Sequence, residues 1–439
     1  MCGPTDRSSK HAVTRHPLDP LSMDEIVEAA QIAKKDLAKE AGEKAPFLRF
    51  ETIELFEPPK AAVRAFDKKQ GEVCERKARV NAFFVGEGIG VYRLAVSLTN
   101  QEVISKKFFP DARPMIQLDE FNQIEETVRK DSRVIEACKK RGIEDMESVC
   151  IDPWSSGTYG FDYEKGRHLS YTFIWLKSSP CDNLYAHPVE GLNAIVDIKA
   201  MEVIAVEERE AVPVPEKNVN YDSSMLKDVP TRTDLKEINV SQPEGVSFNM
   251  EGSTLKWHEW SILVGFNARE GITLHNISYG NRPVCYRASI AEMVVPYGSP
   301  RAPHYRKNVF DIGEYGLGNM ANSLELGCDC LGSILYLDCW LNDMHGKPYC
   351  LKNGICIHEE DHGILWKHWD FRNDRTQIRR ARRLVISSIS TVGNYEYGSY
   401  WYFYLDGMIE FEMKATGIIV SKARYYISVT IVLSTFLTF

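Results

Sequence analysis

The most restrictive feature of the sequence is a pair of apolar runs separated by a turn near the end of the chain. Residues 400–405 are aromatic or aliphatic throughout, residues 409–413 alternate apolar and acidic side chains, and Asp406-Gly407 lies between the two runs. An Asp-Gly pair in such a position is typical of a β-hairpin turn. Because strict alternation places every second side chain on the same face of a strand, one face of this hairpin is predicted to lie against an apolar core.

The residues before this hairpin extend the same β character over a large region. From about residue 246 to residue 417, β-branched and aromatic runs alternate with frequent turns, and no long helical period is present. Such short runs predict antiparallel strands. We therefore expect a large, incomplete antiparallel β-sandwich domain over residues 246–417. The runs that predict its strands are residues 257–266, 272–279, 334–341 and 384–392.

Two smaller units that contain helices precede this region, so the predicted class is α+β, with two small α+β domains before the sandwich. In the first, residues 16–110, Ser22 and Glu25 form a capping-box pattern that predicts a helix ending near Gly42, followed by strands. In the second, residues 111–210, an apolar stripe predicts a helix over 115–141 and strands over 168–176 and 194–207. The remaining predictions are a disordered N-terminus at residues 1–15, an extended linker at 211–245 and an apolar tail of different character at 418–439.

Length, charge and cysteine content narrow the function classes. At 439 residues the chain is long enough for two or three domains, and its net charge of -8 argues against a nucleic-acid partner. The first residues lack the apolar core of a secretion signal, which predicts an intracellular protein. In a reducing compartment most of the 11 cysteines are expected to be free thiols.

Three groups of residues in the β region can carry chemistry. Asp311 lies between apolar neighbours and before a glycine, which fits either a turn residue or a general base whose pKa is raised by burial. His358 and His362 match the H-E-x-x-H pattern of a zinc metallopeptidase, but that pattern requires a helix and the preceding residues resemble a strand. Cys328, Cys330, Cys350 and Cys356 lack the paired C-x-x-C spacing of a zinc site and fit a set of buried thiols or one disulfide.

Five segments, taken in order, make the sequence resemble the copper-containing amine oxidases, and most closely their peroxisomal-type members. The resemblance extends from about residue 16 to about residue 417. Its most specific segment is Asn394-Tyr395-Glu396-Tyr397, in which the family converts the first tyrosine to the quinone cofactor topaquinone. The other segments are residues 294–298 around Tyr297, 310–315 around Asp311, 322–332 and 357–361.

The resemblance implies roles for individual residues. Tyr395 corresponds to the precursor of topaquinone, which forms a Schiff base with the substrate, and Asp311 corresponds to the base that removes the substrate's α-proton. The other implied positions are Tyr297, which hydrogen-bonds the cofactor, Asn394, which fixes its orientation, Val309 at the gate, Tyr185 in the substrate channel, and a disulfide between Cys330 and Cys356.

The reaction implied by the resemblance is the oxidative deamination of a primary amine. Dioxygen reoxidises the cofactor, and the products are an aldehyde, ammonia and hydrogen peroxide. Copper held by three histidines is implied to drive formation of topaquinone from the tyrosine. A homodimer is expected for the full-length form, with no nucleic-acid or membrane partner. The expected location is intracellular, with the peroxisome as the candidate compartment.

The histidines depart from the family pattern. The family's copper ligands follow the topaquinone tyrosine and include a His-x-His pair, whereas all 11 histidines of this chain precede Tyr395, the last being His368, and none forms such a pair. We therefore expect no copper in this chain, with Tyr395 remaining a tyrosine and the chain inactive. We also expect the sequence to be truncated within its β domain. The alternative is a non-catalytic fragment that acts only by binding or dimerisation.

Overall fold

The computed structural model describes residues 15–42, 47–68, 74–85, 89–226 and 233–423. The expectations for residues 1–14 and 424–439 lie outside these ranges. Within them the chain is mostly β-sheet with few helices, as expected. No helix in the described residues is both long enough and apolar enough to span a bilayer.

The first α+β unit is a four-stranded antiparallel sheet with one long helix on its inner face. Helix α1 (Met23–Ala41) begins at the predicted capping box, because the Ser22 hydroxyl accepts from the Glu25 amide and the Glu25 carboxylate accepts from the Ser22 amide. The apolar stripe of α1 packs on alternating small residues of the sheet and buries that face. The other elements, in order, are β1 (Leu48–Leu55), α2 (Lys60–Asp67), β2 (Lys77–Phe84), β3 (Val91–Ser97) and β4 (Glu102–Phe109).

The second α+β unit has the same strand order and is covered on one face by two helices. The single helix predicted over residues 115–141 is wrong: α3 (Leu118–Lys130) and α4 (Ser132–Lys139) are separated at Asp131, whose carboxylate accepts from the Arg133 and Val134 amides and so begins α4. The strand predicted over residues 194–207 is a hairpin of two strands. The sheet consists of β5 (Val149–Ser155), β6 (Leu169–Leu176), β7 (Leu192–Asp197) and β8 (Glu202–Glu208).

Two five-stranded antiparallel sheets make up most of the remaining chain. Each has its strands in sequence order, and side chains from both sheets form one apolar core. The described residues form several separate small sheets, and a single large sandwich is not evident among them. The first sheet is β9 (Phe248–Glu251), β10 (Thr254–Trp257), β11 (Trp260–Asn267), β12 (Gly271–Tyr279) and β13 (Arg282–Ala288).

The second five-stranded sheet contains the hairpin predicted around Asp406-Gly407. Trp401 and Phe403 face the shared core, opposite Phe411 and Ile409 on the neighbouring strand. The hairpin prediction is therefore confirmed. The strands are β16 (Leu335–Asn342), β17 (Pro348–Asp370), β18 (Arg375–Val392), β19 (Tyr395–Tyr404) and β20 (Ile409–Gly417).

Strands β17 and β18 form a long hairpin whose two halves differ. The half nearest β19 is buried in the shared core, whereas the outer half exposes large apolar side chains, among them Trp366, Trp369 and Phe371. His358 and His362 both lie on β17, so the helix that a zinc metallopeptidase site requires is not formed.

A short two-stranded ribbon lies between the five-stranded sheets and the second α+β unit. It pairs β14 (Val294–Pro296) with β15 (Asn308–Phe310), and β15 leads directly into a π-helical turn, Asp311–Tyr315. This ribbon and its turn carry three of the residues that the sequence singles out, namely Tyr297, Val309 and Asp311.

Candidate active site

Tyr395 is the first residue of β19 and directly follows the turn from β18. Gly393 in this turn has φ +60°, a conformation that glycine adopts without strain. Asn394 ties the turn to the chain beyond β20: its carbonyl accepts from the Ile418 amide at 2.7 Å, and its side-chain amide donates to the Ile418 carbonyl. Because residues two apart on a strand face the same side, Tyr395 and Tyr397 project together, with ring centroids 6.3 Å apart.

Tyr297 directly follows β14 and reaches Tyr395. Its hydroxyl donates to the Tyr395 hydroxyl over 3.1 Å, and its amide donates to the Lys307 carbonyl over 3.1 Å. Burial, together with the neighbouring Tyr395 hydroxyl, raises the pKa of Tyr297. Tyr297 therefore keeps its proton at physiological pH and remains a hydrogen-bond donor to Tyr395.

Asp311 begins the π-helical turn and is 3% exposed. Burial raises the pKa of Asp311 to about 6 despite the hydrogen bond from Tyr397, and the charge of Glu292 acts in the same direction as burial. A carboxyl group with this pKa is ionised at neutral pH yet basic enough to accept a proton from carbon in a suitable reaction. Asp311 therefore begins a turn and is also buried as a general base would be, and its role as the base stays a prediction.

Tyr395, Tyr297, Asp311 and Asn394 line one pocket, and Val309 is also in its wall. Most of the pocket surface is apolar, which weakens competition from water and strengthens electrostatic interactions inside. The other lining residues belong to the second α+β unit, to β14, to the π-helical turn and the residues after it, and to the β18–β19 turn and its flanks: Phe121, Asp152, Pro153, Trp154, Val295, Tyr315, Met320, Val392, Gly393 and Tyr397.

The second α+β unit contributes a carboxyl group of its own. Asp152, on β5, accepts from the Tyr185 hydroxyl at 3.2 Å, and burial raises the pKa of Asp152 to about 6. Tyr185, which the resemblance assigns to the substrate channel, is not among the residues that line this pocket, and its hydroxyl contacts the lining residue Asp152.

Two cations that directly precede β15 in the ribbon are enclosed by aromatic rings of the second unit. The Lys307 ammonium lies 4.3 Å from the Phe173 ring centroid and 5.3 Å from that of Trp154. Burial lowers the pKa of Lys307 to about 8. Arg306 is 2% exposed, with its guanidinium carbon 4.6 Å from the Tyr171 centroid. Such cation–π contacts join the ribbon to the second unit and hold the pocket wall in place.

Metal-ligand chemistry is sparse in the described residues. No group of three or more His, Cys, Asp or Glu side chains among them lies close enough to hold a metal ion. His358 instead contacts Cys356 at 3.4 Å and Glu360 at 3.1 Å, whereas His362 packs against the Tyr404 ring.

Cys330 and Cys356 are buried neighbours that share a thiol hydrogen bond, and both are free thiols in this structure. Their proximity is compatible with the disulfide that the resemblance implies. That disulfide stays a prediction.

Sequence reasoning did not identify Asp152, Trp154 or Tyr397 as site residues. The sequence between Val149 and Ser155 alternates like a strand, and this alternation could have identified β5, but Pro153 within the run is unusual in a strand. The pairing of Tyr397 with Asp311 joins residues that are far apart in the sequence, so no local pattern predicts it.

Comparison with known proteins identifies the family of the chain. The chain matches three copper amine oxidase domains in order: the N2 domain at residues 16–109, the N3 domain at 119–225 and the enzyme domain at 249–430. A primary amine oxidase of Arthrobacter sp. (strain P1) is 44% identical over 412 residues, which cover 92% of this chain and 61% of the relative. The peroxisomal copper-containing diamine oxidase 1 of Nicotiana tabacum is 38% identical over 447 residues, covering 93% of this chain and 57% of the relative.

A solved structure has a similar overall fold. The copper-containing benzylamine oxidase from Hansenula polymorpha superimposes with a TM-score of 0.84 at 30% sequence identity, covering 93% of this chain and 65% of that chain. The chain therefore spans somewhat less than two thirds of the length of each of these proteins. Because three domains of one family match in order along most of its length, the chain belongs to the copper amine oxidase family.

Proposed function

We propose that this chain carries the substrate pocket and the cofactor tyrosine of a primary amine oxidase. The observation that supports this most directly is the meeting of Tyr395, Tyr297 and Asp311 in one apolar pocket. These residues are contributed by two separate parts of the β region. Their convergence on one cavity is what a reaction between an amine and a modified Tyr395 requires.

In this proposal Asp311 accepts the α-proton of a bound primary amine. Its pKa of about 6 suits proton transfer near neutral pH. Tyr397, which hydrogen-bonds the Asp311 carboxylate, keeps that group directed into the pocket. The apolar wall at Val309 and Trp154 contacts the carbon chain of the amine, and Tyr297 with Asn394 holds the ring at position 395.

The residues around Tyr395 fit topaquinone, whereas the described residues do not fit copper. Topaquinone, when present, supplies the electron sink that ordinary side chains lack. A donor at Tyr297 and an apolar cavity suit such a ring. By contrast, the described residues offer no group of three metal ligands, and every histidine precedes Tyr395. We therefore propose that the chain by itself leaves Tyr395 unmodified and does not oxidise amines.

The test is to express the chain with copper salt in air and assay it for quinone. A redox-cycling stain and the absorbance of a phenylhydrazine adduct both report the quinone, and Tyr395→Phe is the matched control. We expect no signal above that of the control. A signal that requires Tyr395 would show that the chain makes its cofactor, and would overturn the proposed inactivity while supporting the proposed pocket.

We also propose that the chain forms a homodimer. A chain without catalytic activity could still act through this association. The outer half of the β17–β18 hairpin exposes Trp366, Trp369 and Phe371, by 49%, 56% and 65% of their surfaces. Exposed apolar clusters of this kind are typical of protein interfaces. A second copy of the chain is the proposed occupant.

Sedimentation of the chain tests the homodimer. We expect Trp369→Ser with Phe371→Ser to shift the chain towards monomer, while Leu235→Ser, at another exposed apolar position, leaves the distribution unchanged. A chain that is monomeric throughout would contradict the proposal.

We propose an intracellular and peroxisomal location. The support is that relatives from Nicotiana tabacum and Pichia angusta are named as peroxisomal. Fractionation of the source cells with an antibody against this chain tests it, and a chain found outside the peroxisomal fraction would contradict it.

A further inference from the structure

The turn that follows Asp311 is held by a carboxylate from outside it. Glu292 Oε1 accepts from the amides of Ile312 at 3.2 Å and Gly313 at 3.1 Å, the two residues directly after Asp311. It also accepts from the Met293 amide at 3.0 Å. Hydrogen bonds to an ionised acceptor are stronger than those between neutral groups, so this one oxygen restrains the start of the turn.

Arg269 holds Glu292 in place. The Arg269 guanidinium donates to Glu292 Oε2 at 3.1 Å and to the Ala291 carbonyl at 2.8 Å. The Arg269 carbonyl in turn accepts from the Leu317 amide at 3.0 Å, just beyond the turn. The residue that orients Glu292 is therefore itself bonded to the far end of the same turn.

Gly313 permits the close approach of the Glu292 carboxylate. A Cβ atom at position 313 would lie 2.8 Å from Glu292 Oε2, and its next nearest contact outside Glu292 would be the Phe310 side chain at 3.8 Å. The backbone at Gly313 does not have a positive φ, so alanine fits its conformation. A methyl group there would therefore displace the Glu292 carboxylate and little else.

We propose that Glu292 is a positioning residue for Asp311, holding the turn so that the Asp311 carboxylate faces Tyr397 and the pocket. This inference rests on the proposed function only in treating Asp311 as the base. The titratable groups that face Asp311 are Glu292, Glu314, Tyr397, Tyr297 and Tyr315. Of these, Glu292 is the one that also bonds to the backbone of residues 312 and 313.

Hydrogen exchange tests the restraint on the backbone. In Glu292→Ala, and independently in Gly313→Ala, we expect the backbone amides of residues 312 and 313 to exchange roughly tenfold faster, as loss of a hydrogen bond to a charged acceptor predicts. Glu259→Ala changes the same residue type at an exposed position and should leave both amides unchanged. Unchanged exchange in either of the first two variants overturns the proposal.

The protonation of Asp311 provides a second readout that a merely structural role would not move. In chain labelled with ¹³C at aspartate side chains, the Asp311 signal is identified by its loss in Asp311→Asn. Glu292→Gln keeps an acceptor oxygen and removes only the charge, whereas Glu292→Ala removes the charge and the restraint on the turn, so the Asp311 midpoint should differ between the two variants. Equal midpoints in the two variants overturn the proposal. Neither measurement requires quinone or amine oxidation, so failure of the proposed function and failure of this inference are separable.

Discussion

The two α+β units have the same sheet topology, but the sheet faces that their helices leave uncovered differ in chemistry. In each, a four-stranded antiparallel sheet is covered by helices on one face. The other face of the first unit carries polar pairs, such as Arg79 with Glu54. The other face of the second unit is aromatic, and Tyr171 and Phe173 on it enclose cations of the ribbon.

This difference determines which unit builds the pocket. Strand β6 is buried almost throughout, and its neighbour β5 supplies Asp152 and Trp154 to the pocket wall. The first unit instead meets the β12–β13 hairpin through Glu57, whose carboxylate accepts from the Arg287 guanidinium at 2.9 Å and lies 3.0 Å from His275 Nε2. The same small fold thus forms an aromatic wall of the pocket in the second unit and presents charged side chains in the first, so the part that each unit plays in the structure depends on its surface side chains more than on its topology.

The largest expected effect is on the aromatic face of the second unit. Arg306→Ala removes a guanidinium that is 2% exposed and leaves the Glu164 carboxylate, also 2% exposed, without its cation. Breaking a buried pair from one side typically lowers the free energy of unfolding by about 3–5 kcal/mol. Urea unfolding measures the change, and a loss below about 1 kcal/mol would show that the face is not held by this cation.

The second prediction concerns Asp311 and the pocket that the second unit completes. Because the folded pKa of Asp311, about 6, is above its usual 3.8, its contribution to stability is full below pH 3.8 and is lost as pH rises towards 6. Asp311→Asn removes this dependence. Relative to the unchanged chain, the variant should gain about 3 kcal/mol between pH 4 and pH 7. A stability difference that is constant over that range would contradict the assigned pKa.

The contribution of Glu57, in the first unit, to the free energy of unfolding should depend on pH in the opposite direction to that of Asp311. Burial alone would raise the pKa of Glu57, but hydrogen bonds and charges from His275 and Arg287 outweigh it and lower the pKa to about 2. Its contribution is therefore present above pH 4.5 and lost as pH falls towards 2. Glu57→Gln should cost up to about 3 kcal/mol at pH 7 and progressively less below pH 4.5. Thermal unfolding over pH 3 to 7 measures this, and a cost that rises on acidification would exclude the ion pair.

Local sequence patterns predicted the elements that depend on neighbours in the chain. The capping box at Ser22 and the hairpin around Asp406-Gly407 are of this kind, because their hydrogen bonds join residues only a few positions apart. The break at Asp131 was missed because the apolar stripe continues across it.

Contacts between distant residues were not predictable from such patterns. Asp152 is bonded to Tyr185, which is 33 positions away, and the sequence around Pro153 argues against a central strand. The structure resolves the conflict by placing β5 at the edge of its sheet, where a missing amide donor is tolerated. The resemblance to a known family already grouped Tyr395, Tyr297 and Asp311. The distances between them could be obtained only from the folded structure.

The smallest change in the free energy of unfolding is expected for a substitution on the polar face of the first unit. Arg79 pairs with Glu54 at 2.7 Å, but its side chain is 41% exposed. The Glu54 side chain is only 8% exposed, but water reaches the Arg79 guanidinium and competes for it, so we expect this pair to contribute about 1 kcal/mol, near the upper end of the range for surface pairs. Arg79→Ala should therefore change urea unfolding far less than Arg306→Ala, although both remove an arginine that pairs with a glutamate on an α+β sheet unit. If the two substitutions cost the same, the outer faces of the two units are energetically equivalent, and the aromatic enclosure of the second unit does not explain why that unit forms the pocket wall.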